Sequence, residues 1–390
     1  MNKKTKNIII SIGFVTILIL ILLLNIIKKD TEISISERRK LAKFPEITIE
    51  GIINKTVTNN LEKYLEDQFI GRDIFIKTKY NFNEKIYRQK DNNGKYVKDD
   101  IIYKIEYPLN EKVIIKNVKK LEEINQKYLQ GLNKYYTIIP DKNYYSKENN
   151  LKLDYNKIEK IFKENLSNAQ YIEIKNILNI NDYYKTDIHW KQENIIKIAN
   201  KIKEEMNLEK QNKKYNQNKI ENFYGGLISG IGKKLKPDEL IYLTNEELEN
   251  SVTYNYETKK QGKIYDLEKN QKNKDKYDIF LSGPTPIIEI KNVNKNENEK
   301  NENEKNENEN EKNENKNEKN KINEKNKKEL IIFRDSFASS LAPLFVENYE
   351  KITLIDLRYI NSNYLENYIK FENQDILFAY SGIVLNNLQR

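Results

Sequence analysis

The single histidine of this 390-residue chain, His189, lies in the segment T-D-I-H-W at residues 186–190. Asp187 stands two positions before it, and Trp190, the only tryptophan, follows it directly. A histidine can act as a general base when a carboxylate bonded to its second ring nitrogen fixes the tautomer. The D-x-H spacing therefore allows Asp187 to orient His189 for proton transfer. The alternative interpretation is that His189 and Trp190 are structural residues of the core or the surface.

A candidate nucleophile follows an apolar run near the C-terminus, where L-I-I-F is succeeded by Arg334-Asp335-Ser336-Phe337. A serine at the carboxyl end of a parallel strand, leading into a helix, lies where open α/β sheets place reactive groups. The helix N-terminus also offers N–H groups and a positive dipole to a developing oxyanion. A serine nucleophile requires a base, and histidine is the usual one. Alternatively, Asp335 and Ser336 simply cap the helix.

The composition excludes several classes of site. The chain has no cysteine, so it has no disulfide, no thiolate nucleophile and no cysteine-ligated metal. One histidine rules out a multi-histidine metal site, and no cofactor is expected, although a carboxylate-only Mg²⁺ or Ca²⁺ site is compatible with the sequence. The glycine-rich segment 225–233 fits neither a P-loop nor a dinucleotide fingerprint, and no G-x-S-x-G is present. The net charge of +9 comes from basic residues mixed with acidic ones, so nucleic acid is not expected as a partner.

The N-terminal segment predicts a membrane anchor. From Ile8 to Ile27 no residue is charged, which gives about 20 residues, enough to cross a hydrocarbon core of ~30 Å as a helix. This stretch is longer than that of a cleaved signal peptide, and no small-residue cleavage site follows it. Lysines among the first residues predict a cytoplasmic N-terminus and a body outside the cell membrane, although basic residues at 28–29 and 38–40 oppose that orientation. Residues 1–30 are therefore predicted to form a cytoplasmic tip and a single-pass signal anchor.

The rest of the chain predicts an α/β domain, residues 51–390, joined to the anchor by a linker, residues 31–50. Helical spacing of apolar residues and short apolar runs next to loops identify its elements. The predicted helices cover 59–69, 112–132, 155–167 and 195–206, and the predicted strands cover 135–139, 169–174, 287–290, 329–333, 351–356 and 375–380. Apolar strands that alternate with helices are typical of a mostly parallel sheet flanked by helices.

Residues 292–328 consist almost entirely of asparagine, glutamate and lysine in near-repeats such as N-E-N-E-K. Such a segment cannot bury enough apolar surface to offset its chain entropy, so we predict that it is disordered. It interrupts the pattern between the predicted strands 287–290 and 329–333. Because the entropy of loop closure rises slowly with loop length, an expanded surface loop at this position is compatible with the fold.

Two of these segments resemble a known family. T-D-I-H-W resembles the signature of the DHHW protein family, and R-D-S-F-A-S-S-L-A-P-L-F resembles its serine-containing segment. Other stretches agree in order: E-R-R-K-L-A-K-F-P, L-E-D-Q-F-I-G-R-D, F-Y-G-G-L-I-S-G-I-G with K-P-D, Y-D-I-F-L-S-G and L-I-D-L-R-Y. The resemblance covers most of residues 37–390, with the N/E/K tract as an insertion. The family is similar to the SGNH-hydrolase-like alginate O-acetyltransferases of bacterial cell envelopes, which implies an SGNH-like α/β fold.

The resemblance also implies roles for individual residues. In the similar acetyltransferases the D-x-H pair precedes the serine, and the order is the same here. By this resemblance Ser336 is the nucleophile, His189 is the general base and Asp187 orients it. Further candidates for substrate binding or for the oxyanion hole are Trp190, Gly225, Gly226, Arg334 and the backbone N–H of Ser336.

The chain departs from the family pattern at two positions. Ile188 replaces the first histidine of D-H-H-W, which preserves the D-x-H spacing but removes a polar group. Ser282-Gly283-Pro284 stands where the family tends to have Gly-Gly-Asn. If that asparagine serves an oxyanion hole, its absence costs ~10²–10³ in rate. A catalytically weak or inactive protein is therefore an alternative.

Two functions follow as hypotheses. The first is an envelope-anchored serine O-acyltransferase or esterase acting on acetyl groups of an extracellular polysaccharide; the resemblance implies a multi-spanning membrane acyltransferase as acetyl donor. The second is a glycan-binding or scaffold protein of a polysaccharide acetylation system, in which some of the 27 tyrosines and 13 phenylalanines provide stacking surfaces. One feature discriminates between them, because only the enzyme requires Ser336 and His189 within hydrogen-bond reach.

Overall fold

The computed structural model describes residues 2–34, 39–87, 91–148, 150–208, 214–268, 275–292 and 328–387. Within these ranges the chain forms two compact units, one of residues 1–93 with 228–236 and one of residues 94–227 with 237–390. Residues 293–327, on which the predicted disordered loop falls, lie outside the described residues.

The first unit begins with α1, Lys3–Ile27, whose side chains are exposed along nearly its whole length. This helix is long and apolar enough to cross a membrane. The elements that follow are β1 (Ile33–Ser34), β2 (Arg39–Lys40), α2 (Ile49–Ile53), α3 (Thr56–Gln68) and α4 (Arg72–Lys85). β1 and β2 pair antiparallel within the segment predicted as a linker, and α3 is the helix predicted at 59–69.

The second unit contains the remaining helices and strands. The α-helices are α5 (Glu111–Tyr128), α6 (Tyr155–Asn165), α7 (Ile196–Glu205), α8 (Glu246–Asn250), α9 (Ala338–Leu341) and α10 (Gly382–Leu385). The strands are β3 (Lys95–Lys98), β4 (Ile101–Lys104), β5 (Lys134–Ile139), β6 (Gln170–Tyr171), β7 (Asn216–Phe223), β8 (Asp238–Thr244), β9 (Val252–Asn255), β10 (Lys260–Gly262), β11 (Ile287–Lys291), β12 (Glu329–Arg334), β13 (Lys351–Ile355) and β14 (Gln374–Ser381). Short 3₁₀ helices cover Lys142–Tyr145, Ile180–Asp182, Gln192–Asn194, Gly226–Ile228, Lys276–Ile279, Ala342–Phe345 and Ser362–Asn367.

Eight strands form the central sheet of this unit, in the order β10-β9-β11-β13-β12-β14-β5-β6. β13, β12, β14, β5 and β6 run parallel, and β11, β9 and β10 continue the sheet in antiparallel orientation. This large sheet confirms the α/β class that the sequence predicts. Its pairing is mixed, with the antiparallel strands beyond β13.

Helices cover both faces of the sheet, which explains its continuous apolar strands. Successive residues of β12 point to opposite faces. Leu330 and Ile332 pack in a core that also contains side chains of α7 and α9, whereas Ile331 and Phe333 pack in a second core with side chains of α5 and α6. The sheet is therefore the middle layer of three.

β6 is shorter than the strand predicted at 169–174. After Tyr171 only one more ladder bond forms, from Ile172 N–H to the Tyr136 carbonyl. The chain then leaves the sheet, although Ile172 and Ile174 remain buried in the core. Their apolar character reflects burial in a loop, which a sequence pattern does not distinguish from a strand.

The helix that follows Ser336 is also short. α9 has four residues and passes into a 3₁₀ turn at Ala342. Pro343 has no N–H to donate to a continuing α-helical ladder. A helix of this length has a small dipole. The sequence pattern predicted that this dipole would stabilise an oxyanion, but only individual N–H groups can do so here.

The turn after β12 is fixed by Asp335 at the carboxyl edge of the parallel strands. The Asp335 carboxylate accepts hydrogen bonds from the N–H (2.7 Å) and the hydroxyl (2.6 Å) of Ser381, at the end of β14. It also accepts one from the Phe337 N–H at 2.9 Å. Asp335 thus caps the turn, as one of the two interpretations of the sequence predicts. The Ser336 side chain takes no part in this cap.

Candidate active site

Ser336, His189 and Asp187 come together at this edge of the sheet. His189 Nε2 lies 2.8 Å from Ser336 Oγ, and His189 Nδ1 lies 2.5 Å from Asp187 Oδ1. Asp187 and His189 are buried, whereas Ser336 is half-buried. The imidazole therefore bridges a hydroxyl and a carboxylate. In this arrangement a histidine can remove the proton of the hydroxyl.

A tightly closed loop carries Asp187 and His189. Tyr183 and Trp190 pair as an antiparallel bridge at its base, and the Tyr184 N–H donates to the His189 carbonyl at 3.1 Å. The 3₁₀ turn Gln192–Asn194 and α7 follow directly, so the loop precedes a helix as the sequence predicts. Because both ends of the loop are tied, its side chains have few alternative positions.

Asp238, the first residue of β8, holds the same loop from the side of its backbone. Its carboxylate accepts hydrogen bonds from the N–H groups of Lys185 and Thr186, both at 2.8 Å, and from the Thr186 hydroxyl at 2.6 Å. The Thr186 hydroxyl in turn accepts the Gly225 N–H at 2.8 Å. A second carboxylate thus positions the loop that presents Asp187.

The Asp187 carboxylate is stabilised as an anion. Oδ1 accepts the His189 N–H at 3.0 Å and faces the ring nitrogen, while Oδ2 accepts the Gly226 N–H at 2.7 Å. Burial alone would raise the pKa of this carboxyl. The charge of His189 and the hydrogen bonds from His189 and Gly226 outweigh burial and hold the pKa well below its usual range. Asp187 therefore remains charged and acceptor-only at neutral pH.

Lys142 supports the loop from beneath. Its Nζ donates hydrogen bonds to the carbonyls of Tyr184 (2.8 Å), Lys185 (3.1 Å) and Asp187 (2.8 Å). Burial lowers the pKa of Lys142 to about 7, against the opposing charges of Asp187 and Asp238. An ammonium group has three donors, and here each of them has a carbonyl acceptor.

The face of the imidazole is also covered. The Tyr277 ring lies parallel to the His189 ring, with centroids 3.8 Å apart and an interplanar angle of 4°. The Tyr277 hydroxyl is 2.8 Å from Ser340 Oγ, and Trp190 Nε1 donates to Ser340 Oγ and to the Phe337 carbonyl, each at 3.0 Å. Trp190 is fully buried, so packing is its role. It joins the histidine loop to the segment that follows the candidate nucleophile.

Three residues expected to contact substrate or an oxyanion have their N–H donors bonded to other groups of the chain. The Gly225 and Gly226 N–H groups donate to the loop threonine and to the loop carboxylate. The indole N–H of Trp190 donates into the core. These groups shape the site and are not available to a ligand.

Arg334, the fourth such residue, is buried as well. Its guanidinium donates to Ser339 Oγ at 2.8 Å and to Thr285 Oγ1 at 3.3 Å. Burial lowers the pKa of Arg334, with the Asp356 charge opposing it. By contrast, the N–H of Ser336 has no acceptor in the part of the chain that the structure describes. It is the one expected oxyanion donor that is free to act.

Gly225 is predicted to tolerate no side chain. A Cβ at this position would lie 2.2 Å from Asp187 Cβ and 2.4 Å from Asp187 Cα. Because the neighbour includes backbone, a Gly225→Ala variant must displace the loop that carries Asp187, and we expect a loss of at least about 2 kcal/mol in the free energy of unfolding. Gly262→Ala, on the exposed edge strand β10, is the control, because its Cβ would meet only one side-chain atom, the Thr253 hydroxyl oxygen at 3.1 Å. Equal melting temperatures for the two variants in a thermal denaturation of the full chain would contradict this expectation.

Sequence reasoning found the three central side chains but missed the residues that hold them. Lys142, Asp238 and Tyr277 lie far from Asp187 in the sequence, on both sides of it, and no spacing rule connects them to it. Two of them stand in stretches that carried the family resemblance, K-P-D and Y-D-I-F-L-S-G. Lys142 had no such signal, since a lysine after a strand is an ordinary surface residue in most sequences.

Known proteins resemble this chain in structure but not detectably in sequence. No protein-family model matches the sequence, and no curated protein matches it. Among solved structures, a DHHW family protein from Eubacterium siraeum is similar, with 16% identity and a TM-score of 0.55 over 76% of this chain and 93% of that one. The chain has the fold of a DHHW family protein. The resemblance expected from T-D-I-H-W is thus confirmed for the fold.

Two structures of Bacillus cereus PatB1 are also similar. One is unmodified, with 18% identity and a TM-score of 0.52, and one carries a sulfonyl adduct, with 17% identity and a TM-score of 0.51. Each match covers 76% of this chain and 98% of PatB1. The O-acetyltransferase domain of Pseudomonas putida AlgJ matches with 11% identity and a TM-score of 0.40, too low to establish a shared fold.

Proposed function

We propose that this chain is a membrane-anchored serine O-acyltransferase or esterase that moves acetyl groups onto, or off, hydroxyls of an extracellular polysaccharide. The observation that carries the proposal is the 2.8 Å separation of His189 Nε2 and Ser336 Oγ, with Asp187 on the other ring nitrogen. A glycan-binding protein without turnover does not need this alignment. The alignment therefore supports catalysis over the scaffold alternative.

The reaction proceeds through an acyl-enzyme. His189 Nε2 takes the proton of Ser336 Oγ as this oxygen attacks the acetyl carbonyl, and Asp187 stabilises the imidazolium. The Ser336 N–H donates to the oxyanion. When the tetrahedral intermediate collapses, the proton passes from His189 to the leaving alcohol. An acceptor hydroxyl or water then attacks the acetyl-serine, with His189 again taking and returning the proton.

The proposed reaction takes place at the cell membrane and requires an acetyl donor. α1 holds the chain in the cell membrane, and the lysines before Ile8 favour an N-terminus in the cytoplasm and a body outside. A multi-spanning membrane acyltransferase supplies acetyl groups to Ser336. This arrangement keeps the acyl-enzyme next to both its donor and the polysaccharide.

The direct test is capture of the acyl-enzyme. The full chain in detergent is mixed with a chromogenic acetate ester, quenched in acid and digested, and the peptide that contains Ser336 is examined by mass spectrometry. We expect the mass of one acetyl group on that peptide in wild type and not in His189→Gln. A sulfonyl fluoride should block acetylation, since sulfonyl reagents modify activated hydroxyls. One of the PatB1 structures carries a sulfonyl adduct. Absence of both acetyl and sulfonyl adducts would leave glycan binding as the better function.

Stacking of Tyr277 on His189 predicts a graded effect on turnover. Tyr277→Leu removes the parallel ring that fixes the imidazole, and we expect kcat to fall about tenfold, since an aromatic contact contributes roughly 0.5–1.5 kcal/mol. Tyr277→Phe keeps the ring and loses only the contact with Ser340. It should retain most of the wild-type kcat, with KM unchanged in both variants. If phenylalanine costs as much as leucine, the hydroxyl network rather than the ring positions His189.

A further inference from the structure

An apolar surface lies around the turn between α3 and α4, which we call the α3–α4 patch and define by Leu65, Phe69, Ile74 and Phe75. Ile74 and Phe75 are 69% and 63% exposed, as much as the side chains of α1, of which Phe14 is 61% exposed. Phe69 and Phe75 contact each other edge to face, with ring centroids 5.7 Å apart. Aromatic and aliphatic side chains exposed to this degree on one turn mark an interaction surface.

Hydrogen bonds attach this turn to the end of α1. The Ile70 N–H donates to Asn25 Oδ1 at 2.7 Å, and Lys28 Nζ donates to the Gln68 carbonyl at 3.2 Å. The Gln68 side chain accepts the Thr31 N–H at 2.9 Å and donates to the Thr31 carbonyl at 3.1 Å. The turn and the end of α1 are therefore held in one arrangement by several independent bonds.

The contact occupies one face of α1. Ile21, Asn25 and Lys28 are half-buried, whereas the other described side chains of α1 are exposed. Their spacing of four and three residues places them in one row along the helix. Asn25 is also the only residue with an amide side chain in the uncharged stretch from Ile8 to Ile27.

The depth of Asn25 fixes the depth of the turn. Asn25 stands two residues before Ile27, which corresponds to about 3 Å along a helix that rises 1.5 Å per residue. If α1 spans the membrane, Asn25 lies at the boundary between hydrocarbon and headgroups. A group within hydrogen-bond distance of Asn25 lies at the same boundary. The apolar side chains beside Ile70 then face lipid wherever protein does not cover them.

We propose that the α3–α4 patch inserts into the membrane interface beside α1, as a second, monotopic contact with lipid. Lipid is favoured as the occupant because it surrounds α1 at this depth. Basic side chains next to the patch suit this position, since interfacial contacts combine apolar side chains with cations near the headgroups: Lys28 bonds to Gln68, and Arg72 pairs with Asp67 at 3.8 Å. The consequence is that the chain is held at two points, so that the first unit cannot rotate freely about a single anchor.

The absence of cysteine allows a clean test, because one introduced cysteine is the only thiol in the chain. Single-cysteine variants Ile74→Cys and Phe75→Cys of the full chain carry an environment-sensitive fluorophore and are placed in nanodiscs at one chain per disc. Asn2→Cys, outside the apolar stretch, is the aqueous reference, and Ile26→Cys is the membrane reference. Quenching is measured with lipids that carry a spin label near the headgroup and, separately, with aqueous iodide.

We expect labels at positions 74 and 75 to behave like the label at 26, with strong quenching by spin-labelled lipid and several-fold weaker quenching by iodide than at position 2. Iodide quenching equal to that of position 2, with no effect of lipid, overturns the proposal. Protection from both quenchers also overturns it, because protein would then cover the patch. The label at 26 reports separately whether α1 is in the membrane, so failure of the anchor and failure of the patch are distinguishable.

Discussion

Replacing Ser336 with alanine is expected to lower acetyl-ester turnover by a factor on the order of 10⁴ or more. Ser336 Oγ is the atom aligned with His189 Nε2, at 2.8 Å, and without it the imidazole has no hydroxyl proton to remove. The substitution removes one oxygen from a half-buried position and leaves the carboxylate contacts of Asp335 intact. Thermal stability should therefore stay near that of wild type. Steady-state hydrolysis of a chromogenic acetate by the full chain in detergent measures the effect.

Ser167→Ala provides the matched control. Ser167 precedes β6, at the amino-terminal edge of the sheet, where Gln170 pairs with Tyr135 near the start of β5. Its hydroxyl donates to Glu122 at 2.6 Å, so the variant loses a serine hydroxyl bond far from the reactive edge. Turnover by Ser167→Ala should match that of wild type. Substantial turnover by a folded Ser336→Ala variant would exclude Ser336 as the nucleophile and with it the serine mechanism.

Much of the fold could be predicted because local patterns decide it. The apolar stretch of α1, the helical spacing of α5 and the continuous apolar strands β12, β13 and β14 each carry their own signal. The antiparallel edge formed by β9 and β10 carries no such signal, since β10 is fully exposed and starts with two polar residues. Its position depends on pairing with β11, a contact between distant parts of the chain. Sequence periodicity does not record such pairings.

The sequence identified the three side chains that meet at the site but not the residues that hold them in place. His189 could be identified because the chain has one imidazole, and Ser336 because it follows an apolar strand. Four of the oxyanion and substrate candidates share a feature that the sequence did not reveal: they donate hydrogen bonds to neighbours that only the folded chain brings near. Gly226 serves Asp187, and Arg334 serves Ser339 and Thr285. Whether a donor is free depends on every nearby acceptor, and a motif specifies only a few of them.

Asp187→Asn is expected to lower kcat by a factor on the order of 10³–10⁴ while leaving the loop folded. The Asp187 carboxylate only accepts hydrogen bonds. Oδ1 faces the backbone and ring nitrogens of His189, and Oδ2 accepts the Gly226 N–H. An asparagine must turn its amide NH₂ toward one of these donors. If it faces the imidazole, Nδ1 becomes the acceptor and Nε2 carries the proton, so Nε2 can no longer accept from Ser336. If it faces Gly226, that N–H loses its partner and the imidazolium loses its counter-charge.

The same variant has a pH signature in stability. The pKa of Asp187 is depressed on folding, so its carboxylate stabilises the native chain above the unfolded pKa of about 3.9, and this contribution is lost as the pH falls further. The difference in melting temperature between wild type and Asp187→Asn should therefore be full at neutral pH and shrink below about pH 4. Asp182→Asn, which removes a buried carboxylate bonded to Lys197 just outside the loop, should lose stability but keep its kcat. If Asp187→Asn keeps its kcat as well, His189 does not depend on Asp187 for its tautomer, and the proposed relay from carboxylate to serine is wrong.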